Sequence, residues 1–312
     1  KIAIIGGGPS GLSAAYYLQL MGHQTTVYEM LPKLGGMLRY GIPNYRLPKD
    51  RLEEDTDAIL ATGVEVKYGL KLGVDLLLPD LKKEYDAVLI TIGASTDKKL
   101  GLEGEDAEGV MSAVKFLRNV GVEQYDDLTG QNVAIIGGGN VAMDAARTAL
   151  RLGAEVHVIY RRSEAELPAR AEEVHHAKQE GIIFDILTNP VEILEDEKGW
   201  VKGMKVIRME LGEPDASGRR RPVEVKGSEF VIDCDTVIMS LGTSPNPLIA
   251  RTTEGLDINK WKCIEADEKT GQTSRKGVFA GGDAVTGAAT VILAMEAGRA
   301  GARGIHEYLS EK

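Results

Sequence analysis

The sequence predicts an α/β protein built from two similar domains, each with a parallel β-sheet and covering helices. Three observations lead to this prediction. A short β-branched run, a cluster of glycines, a helix-forming stretch and a second strand follow one another within residues 1–30, and the same succession returns at residues 132–162. A further glycine-rich strand runs into a long helix within residues 277–308. Strands that alternate with helical stretches are typical of parallel sheets.

The first segment has the features of a dinucleotide-binding turn. The pattern GxGxxG lies between a predicted strand and a predicted helix, at Gly6, Gly8 and Gly11. The first glycine permits a tight turn, the second lets the backbone approach a pyrophosphate, and the third brings helix and strand together. Glu29 ends the second strand, where a carboxylate can accept hydrogen bonds from both hydroxyls of a ribose. The segment therefore predicts a Rossmann-like nucleotide site.

The second segment repeats the pattern with a different ending. The positions that match the three glycines hold Gly137, Gly139 and Ala142. Tyr160 stands where the acid stood, and Arg161 and Arg162 follow it. A carboxylate would repel a 2′-phosphate, whereas guanidinium groups bind one in a bidentate manner. The second site is therefore predicted to prefer NADP(H), with Arg161, Arg162 and also Arg170 as candidate clamp residues; a solvated basic face is the alternative.

Composition excludes several functions. The chain of 312 residues has room for two domains, and its net charge of −10 argues against nucleic acid as a partner. No apolar run approaches the ~20 residues that span a bilayer, and nothing resembles a signal peptide, so no membrane partner and a cytoplasmic location are expected. Cys234 and Cys263 are the only cysteines and form no CxxC pair, so neither a redox dithiol nor a cysteine metal site is predicted.

The intervening segments are predicted to complete the two sheets. Buried strands end on Gly93 and on Gly242, where a backbone can come near a ligand. Residues 38–48 are predicted to form an ordered loop that lines a cofactor, with a surface connection as the alternative. The arginines at 219–221 follow a turn and are expected to face solvent. The other predicted elements are helices at 49–62 and 171–179, strands at 64–68, 182–187 and 191–194, and a hairpin at 198–226.

The last segment suits a flavin. A strand ends at Gly281-Gly282-Asp283, and the carboxylate of Asp283 can bond the ribityl or phosphate region of a flavin. The following helix begins near Ala289 to Val291, and its dipole can point at the flavin C2 carbonyl and N1, where negative charge gathers on reduction. The alternative is an ordinary turn between strand and helix in which Asp283 acts as an N-cap.

These motifs resemble the two-dinucleotide flavoprotein disulfide reductase-like superfamily, of the three-layer ββα type. Within it, the chain is most similar to the small (β) subunit of NADPH-dependent glutamate synthase. The stretches that carry the resemblance are LGGMLRYGIPNYRLPK, YRRSEAELPAR and GVFAGGDAVTGAATVILAMEAGRAGA. In that group a cysteine-rich segment with two 4Fe–4S clusters precedes the first glycine motif. This sequence lacks that segment and begins on a strand without methionine, so that either an upstream segment has been trimmed or processed away or the protein works without it.

The resemblance, which covers nearly the whole chain, also implies the site residues and the domain boundaries. For FAD it implies Gly6, Gly8, Pro9, Ser10, Gly11, Glu29, Gly36, Arg39, Gly93, Gly282, Asp283, Ala289 and Val291. For NADPH it implies Gly137, Gly139, Asn140, Val141, Arg161, Arg162 and Gly242. The FAD-binding domain is then discontinuous, with residues 1–100 and 250–312, and the NADPH-binding domain comprises residues 101–249.

The resulting functional prediction is an FAD-dependent oxidoreductase that accepts hydride from NADPH. The nicotinamide is expected to stack on the flavin and to pass hydride to N5. Because this chemistry belongs to the cofactors, no catalytic residue is assigned. Electrons are expected to leave to an iron–sulfur domain or large subunit. Alternatives are a stand-alone NADPH-dependent flavoprotein reductase for ferredoxin or another acceptor, a flavin monooxygenase, and a non-catalytic nucleotide-binding scaffold. The final acceptor and the oligomeric state stay open.

Overall fold

The computed structural model describes residues 1–311, which form two compact units. Unit 1 combines Lys1–Thr96 with the segment that begins at Thr243, and unit 2 is Asp97–Gly242. The chain therefore leaves unit 1, builds unit 2 in one continuous stretch, and returns to finish unit 1. Which nucleotide each unit holds stays a prediction.

Strands and helices alternate along most of the chain. The strands are β1 (Ile2–Ile5), β2 (Thr25–Glu29), β3 (Glu65–Tyr68), β4 (Ala87–Ile90), β5 (Thr96–Asp97), β6 (Val110–Ser112), β7 (Asn132–Ile136), β8 (Glu155–Tyr160), β9 (Ile183–Ile186), β10 (Thr188–Glu195), β11 (Val201–Pro214), β12 (Arg220–Glu224), β13 (Phe230–Ile232), β14 (Thr236–Met239), β15 (Thr243–Ser244) and β16 (Val278–Ala280). The helices are α1 (Pro9–Leu20), α2 (Met37–Tyr40), α3 (Lys49–Leu60), α4 (Leu78–Glu84), α5 (Ala113–Gly121), α6 (Asn140–Arg151), α7 (Ala171–Gln179), α8 (Leu248–Thr252), α9 (Asp283–Thr286) and α10 (Val291–Ser310).

Unit 1 is built on a parallel five-stranded sheet. Its strand order is β16-β4-β1-β2-β3, so that β1 lies in the centre and the outer strand β16 comes from the last part of the chain. All residues of β1 are buried, because the sheet is covered on both faces. One face packs against α1 and α10, and the other packs against α4, α8 and the segment before β16.

Unit 2 contains a second parallel five-stranded sheet, in the order β6-β14-β7-β8-β9. Helices α5, α6 and α7 cover one of its faces. The other face packs against an antiparallel sheet in which β11 pairs with β10, β12 and β13. The layers of this unit are therefore sheet, sheet and helix, which confirms the predicted ββα arrangement.

The predicted elements are present with shifted ends, whereas α4, α5, α8 and several short strands have no predicted counterpart. The predicted loop at 38–48 begins with a single helical turn, α2, because the amides of Arg39 and Tyr40 both donate to the carbonyl oxygen of Gly36 at 3.0 Å. The edge strand β13 has only three residues and too little pattern to be predicted. No helix within residues 1–311 has the length and apolar character that a membrane crossing requires.

Candidate nucleotide-binding sites

The glycine turn of unit 1 is held by very close packing of the main chain. Gly6 has φ +109°, and a Cβ there would lie 2.4 Å from the carbonyl oxygen of Thr91. A Cβ on Gly11 would lie 2.0 Å from the carbonyl oxygen of Gly6. Both positions therefore require glycine for internal reasons. The result is a helix α1 whose first turn lies directly against the end of β1, with its N-terminal amides exposed to a ligand.

Two other features of this turn fit a dinucleotide. Gly8 has an ordinary extended conformation, with φ −82°, and a Cβ on it would meet nothing closer than 3.8 Å. The protein's own packing therefore does not demand glycine at this position, whereas a pyrophosphate above the start of α1 would. The hydroxyl of Ser10 is buried and has no hydrogen-bond partner within residues 1–311. A bound phosphate would supply the acceptor that this hydroxyl lacks.

The carboxylate of Glu29 is fixed at the end of β2. It is 6% exposed, and its two oxygens accept hydrogen bonds from the amides of Gly7 and Leu31, both at 2.8 Å. Burial raises the pKa of Glu29, although the backbone amides around the carboxylate oppose this change. Because a carboxylate has about four acceptor positions, these bonds leave acceptor capacity for the ribose hydroxyls of an adenosine.

The loop after β2 approaches the glycine turn. Gly36 has φ +52°, and a Cβ on it would lie 2.8 Å from the Cα of Gly8. The side chain of Arg39 is buried, with Nε 2.7 Å from the carbonyl oxygen of Leu34 and Nη1 3.1 Å from Oε1 of Glu53. Arg39 therefore holds the loop in place. Its predicted contact with a cofactor stays a prediction.

The end of the chain completes the same region of unit 1. Gly282 has φ +68°, and a Cβ on it would lie 2.9 Å from the Cβ of Ser10 at the start of α1. Asp283 begins the short helix α9 and accepts a hydrogen bond from the amide of Ala289, while burial raises the pKa of its carboxylate. Helix α10 begins at Val291. The structure thus brings the predicted first and last parts of the FAD site together.

The first part of the glycine turn in unit 2 resembles that of unit 1. Gly137 has φ +135°, and a Cβ there would lie 2.3 Å from the carbonyl oxygen of Ser240. Gly139 is extended, and a Cβ on it would meet nothing within 4 Å. Asn140 accepts a hydrogen bond from the amide of Arg170 at 2.9 Å, and the side chain of Val141 is 40% exposed. The open space above the start of α6 therefore also fits a pyrophosphate.

The residues after β8 do not form one uniform clamp. Arg161 is exposed, and its side chain makes no hydrogen bond or ion pair within residues 1–311. Arg162 is 6% exposed; its Nη2 lies 2.7 Å from Oδ2 of Asp215, and its Nε donates to the carbonyl oxygen of Arg220 at 2.8 Å. Arg161 is available to a phosphate, whereas Arg162 already has partners in the chain. The sequence gives no signal for these partners, because they are 53 and 58 positions away.

Two glycines at strand ends have the open surroundings that were expected. Gly93 follows β4 with φ +69°, and Gly242 follows β14 with φ +90°. A Cβ on either residue would meet nothing within 4 Å. Their conformation requires glycine, and their surroundings leave room for a ligand next to the main chain. Their predicted contacts with FAD and NADPH stay predictions.

Other reactive side chains offer little chemistry. Burial and the nearby acids Asp235 and Asp233 raise the pKa of Cys234 to about 12, so its thiolate is not accessible at neutral pH. Cys263 is also a buried free cysteine. Within the described part of the chain, no group of three or more His, Cys, Asp or Glu side chains is arranged to hold a metal ion.

Curated relatives cover the whole chain. The NADP(+)-dependent formate dehydrogenase subunit beta of Moorella thermoacetica is 48% identical over 314 residues, which is 100% of this chain and 44% of the relative. The NADPH-Fe(3+) oxidoreductase subunit beta of Geobacter sulfurreducens is 42% identical, over 100% of this chain and 50% of the relative. The chain thus spans about half the length of these relatives. The NADPH glutamate synthase small chain of Escherichia coli is 38% identical, over 99% of this chain and 68% of the relative.

Solved structures agree with the fold. FprA of Mycobacterium tuberculosis, solved in complex with NADPH, has a TM-score of 0.84 at 21% identity, over 99% of this chain and 84% of that one. Thioredoxin reductase of T. acidophilum has a TM-score of 0.72 at 20% identity, over 100% and 98%. The profile of the pyridine nucleotide-disulphide oxidoreductase family matches residues 1–298. The chain therefore belongs to the pyridine nucleotide-disulphide oxidoreductases, and within them to the group of the glutamate synthase small subunit.

Proposed function

We propose that this chain is an NADPH-dependent FAD oxidoreductase module that passes electrons to an iron–sulfur partner. The observation that carries the proposal is the contrast between the residues that follow two similar glycine turns. In unit 1 the strand after the turn ends at the buried carboxylate of Glu29. In unit 2 the corresponding strand is followed by the exposed guanidinium of Arg161. A single chain thus offers one site suited to a ribose with free hydroxyls and one suited to a ribose 2′-phosphate.

Unit 1 is the proposed FAD domain. Its glycine turn and Ser10 would hold the pyrophosphate, and Glu29 would accept the hydroxyls of the adenosine ribose. The region of Asp283 and the start of α10 would hold the flavin end, where the helix N-terminus favours negative charge. FAD, when bound, supplies the capacity to accept hydride and to release electrons. The chain itself supplies binding, orientation and a favourable field, without a general acid or base.

Unit 2 is the proposed NADPH domain. The start of α6 above Gly139 would bind the pyrophosphate, and Arg161 would bind the 2′-phosphate. Asn140 would keep the covering loop in place through its bond to the amide of Arg170. Gly242 would let the nucleotide approach the end of β14. A guanidinium beside a phosphate forms strong, charge-assisted hydrogen bonds, so this arrangement favours NADPH over NADH.

The electron acceptor is proposed to be an iron–sulfur domain or subunit. Two of the curated relatives are named as β subunits and one as a small chain, which supports a partner subunit. The iron–sulfur character of that partner rests on the resemblance of the motifs. A cytoplasmic location stays a prediction.

The first experiment tests hydride transfer. The FAD-loaded protein is mixed with NADPH in the absence of oxygen, and the flavin absorbance at about 450 nm is followed. We expect the absorbance to bleach. Protein that retains FAD but shows no bleaching contradicts the proposed function and points to a nucleotide-binding scaffold. Hydroxylation of an organic substrate with oxygen would instead indicate a monooxygenase.

The second experiment tests the choice of nucleotide. The change Arg161→Ala removes the exposed guanidinium, and we expect about ten-fold or greater loss of affinity for NADPH with little change for NADH. The matched control is Lys202→Ala, which removes an exposed cation on β11. Rapid-reaction kinetics of flavin reduction with each nucleotide give both affinities. Equal losses for the two nucleotides would reject Arg161 as a 2′-phosphate ligand.

A further inference from the structure

An ion pair between the buried Arg162 and the partly exposed Asp215 connects the tip of the β11–β12 hairpin to the end of strand β8. Arg162 Nη2 lies 2.7 Å from Asp215 Oδ2, and the side chain of Arg162 is only 7% exposed. Its Nε also donates to the carbonyl oxygen of Arg220. Asp215 precedes the turn of the hairpin and Arg220 follows it, so that one guanidinium contacts both of its arms. The hairpin tip therefore lies at the carboxyl end of β8.

The main chain specifies the same approach independently. The carbonyl oxygen of Arg162 accepts a hydrogen bond from the amide of Leu187 at 2.9 Å, and the carbonyl oxygen of Leu187 accepts one from the amide of Met209 on β11 at 2.8 Å. Leu187 has φ +49°, a left-handed conformation that leucine rarely adopts. Such a conformation persists where the surrounding structure determines it. The contact between the hairpin and the end of β8 is thus built into the fold of unit 2.

The hairpin tip carries a surplus of positive charge. Arg219 and Arg221 flank the carbonyl that Arg162 contacts, and both are exposed. The side chain of Arg220 instead turns back to the carbonyl oxygen of Leu211 at 2.7 Å. Hydrogen bonds from Ser217 and the charge of Arg162 keep the pKa of Asp215 below its usual value, so this carboxylate is ionised at neutral pH. Its charge is balanced by Arg162, and the other charged side chains of residues 215–221 are Arg219, Arg220 and Arg221, while Glu213 and Glu224 lie farther along the two strands.

The place of this tip in the fold indicates its ligand. In a Rossmann-like unit, the ribose of the adenosine lies at the carboxyl end of the second strand, which is β8 here. A 2′-phosphate on that ribose is a compact dianion that guanidinium groups recognise. We propose, on the basis of the proposed function, that the hairpin tip is part of the 2′-phosphate subsite, with Arg219 and Arg221 as cations additional to Arg161 and with Asp215 as a positioning residue that acts through Arg162.

The change Asp215→Asn tests the proposal by the sign of its effect. It keeps the shape and the oxygen of the side chain but removes the charge that holds Arg162. If Asp215 were only a negative charge near the phosphate, its removal would strengthen phosphate binding. We expect the opposite, about ten-fold weaker binding of 2′,5′-ADP with unchanged binding of 5′-AMP, because the hairpin tip loses its ion pair with Arg162 while the main-chain bonds of Leu187 keep β11 in place. Glu213→Gln is the matched control, since Glu213 is an exposed carboxylate of the same hairpin.

Calorimetric titration of the FAD-loaded protein with 2′,5′-ADP and with 5′-AMP measures both affinities, and thermal unfolding of each variant shows whether unit 2 stays folded. The double change Arg219→Ala with Arg221→Ala should also weaken only 2′,5′-ADP, by about ten-fold. Unchanged or stronger binding of 2′,5′-ADP to the Asp215→Asn protein would overturn the proposal, and so would equal losses for both ligands.

These titrations also separate this inference from the proposed function. If the unmodified protein binds 2′,5′-ADP no more tightly than 5′-AMP, the NADPH preference itself is wrong. If Arg161→Ala abolishes the preference while Asp215→Asn and the double arginine change leave it intact, the preference stands and only the role of the hairpin is rejected.

Discussion

The two glycine turns are built alike at their start, although different nucleotides are proposed for the two units. In unit 1 a Cβ on Gly6 would lie 2.4 Å from a carbonyl oxygen of the neighbouring strand end, and in unit 2 a Cβ on Gly137 would lie 2.3 Å from the matching oxygen. Gly7 in unit 1 and Gly138 in unit 2 also match, because the carbonyl oxygen of each accepts a hydrogen bond from a main-chain amide. The donors are the amide of Gly35 in unit 1 and that of Ala169 in unit 2. The turn geometry is therefore set by main-chain contacts that do not depend on the nucleotide.

The differences lie at two side-chain positions. Where unit 1 has Gly11, unit 2 has Ala142, which is fully buried. Where unit 1 has Glu29, unit 2 has Tyr160, whose hydroxyl donates to the carbonyl oxygen of Glu166 at 2.8 Å. Because the hydroxyl of Tyr160 is hydrogen-bonded within its own loop, it does not replace the carboxylate as a partner for the ribose hydroxyls. We expect the residues that follow Tyr160 to recognise the ribose instead. We therefore expect the choice of nucleotide to be decided at the strand end and not in the glycine turn.

The largest effect is expected from exchanging the third position of the two turns. In Gly11→Ala the new methyl would lie 2.0 Å from the main-chain oxygen of Gly6, which cannot move without breaking the turn. We expect a loss of about 3 kcal/mol or more in the free energy of unfolding, together with loss of FAD. The reverse change, Ala142→Gly, should cost only about 1 to 2 kcal/mol, from helix propensity and a lost methyl contact.

Urea unfolding and the FAD content of the purified proteins measure both changes. A Gly11→Ala protein with ordinary stability and full FAD content would show that the two turns are interchangeable at this position. Should the variant be insoluble while Ala142→Gly is soluble, the asymmetry between the turns is supported.

A second, smaller effect should separate ligand binding from folding. Gly8 and Gly139 are both extended and have room for a Cβ within the protein. We therefore expect Gly8→Ala and Gly139→Ala to change the free energy of unfolding by about 1 kcal/mol or less. Each methyl would occupy the space of a pyrophosphate, so Gly8→Ala should impair FAD retention and Gly139→Ala should weaken NADPH about ten-fold or more. Equilibrium dialysis with FAD and with NADPH measures the affinity of each variant for its nucleotide. Normal binding by both variants would show that the pyrophosphates do not lie next to Gly8 and Gly139.

The smallest expected effect is on the dependence of stability on pH, which should differ between the units. In unit 2, hydrogen bonds from Arg151 and Arg147 lower the pKa of Glu180 from 4.5 to about 2. This contribution is complete above pH 4.5 and is lost as the pH falls towards 2. In unit 1, burial and the neighbouring His306 lower the pKa of His23 below 6.5, so the unfolded state binds more protons. Unit 1 should therefore begin to lose stability already below pH 6.5.

The two tryptophans allow the units to be followed separately, because Trp200 lies in unit 2 and Trp261 in unit 1. Urea unfolding of single-tryptophan proteins between about pH 3 and pH 8 should show the two thresholds. In this series Glu180→Gln should remove about 1 to 2 kcal/mol at neutral pH, a value reduced by solvent screening because the side chain is 26% exposed. Identical pH profiles for the two units would contradict the assignment.

The parts of the fold that the sequence predicts are those encoded by short-range patterns. The glycine turns, their strands and α3, α7 and α10 follow from spacing, propensity and burial over a few residues, and the structure has them. The ββα layers came from the resemblance and are confirmed. In the candidate sites, the buried carboxylate of Glu29 and the fixed Asp283 lie where the motifs place them.

The parts that the sequence does not predict depend on contacts between distant residues. Arg161 and Arg162 are adjacent and of the same residue type, yet Arg161 is exposed and Arg162 is buried against Asp215. The close approach of Gly36 to Gly8 and of Gly298 to Ser10 likewise joins separate segments. No local pattern encodes such pairs, because they arise only when the sheet brings their segments together.

The divided path of the chain through unit 1 has a consequence for biosynthesis. Strand β16 and helix α10 belong to the segment that follows Thr243. A Cβ on Gly298 in α10 would lie 2.1 Å from the main-chain oxygen of Ser10, so α10 can pack this closely against α1 because residue 298 is glycine. During translation unit 2 can fold as soon as it leaves the ribosome, whereas Lys1–Thr96 must wait for the residues that follow Thr243. The sheet of unit 1 therefore stays unfinished on the nascent chain until β16 has been made.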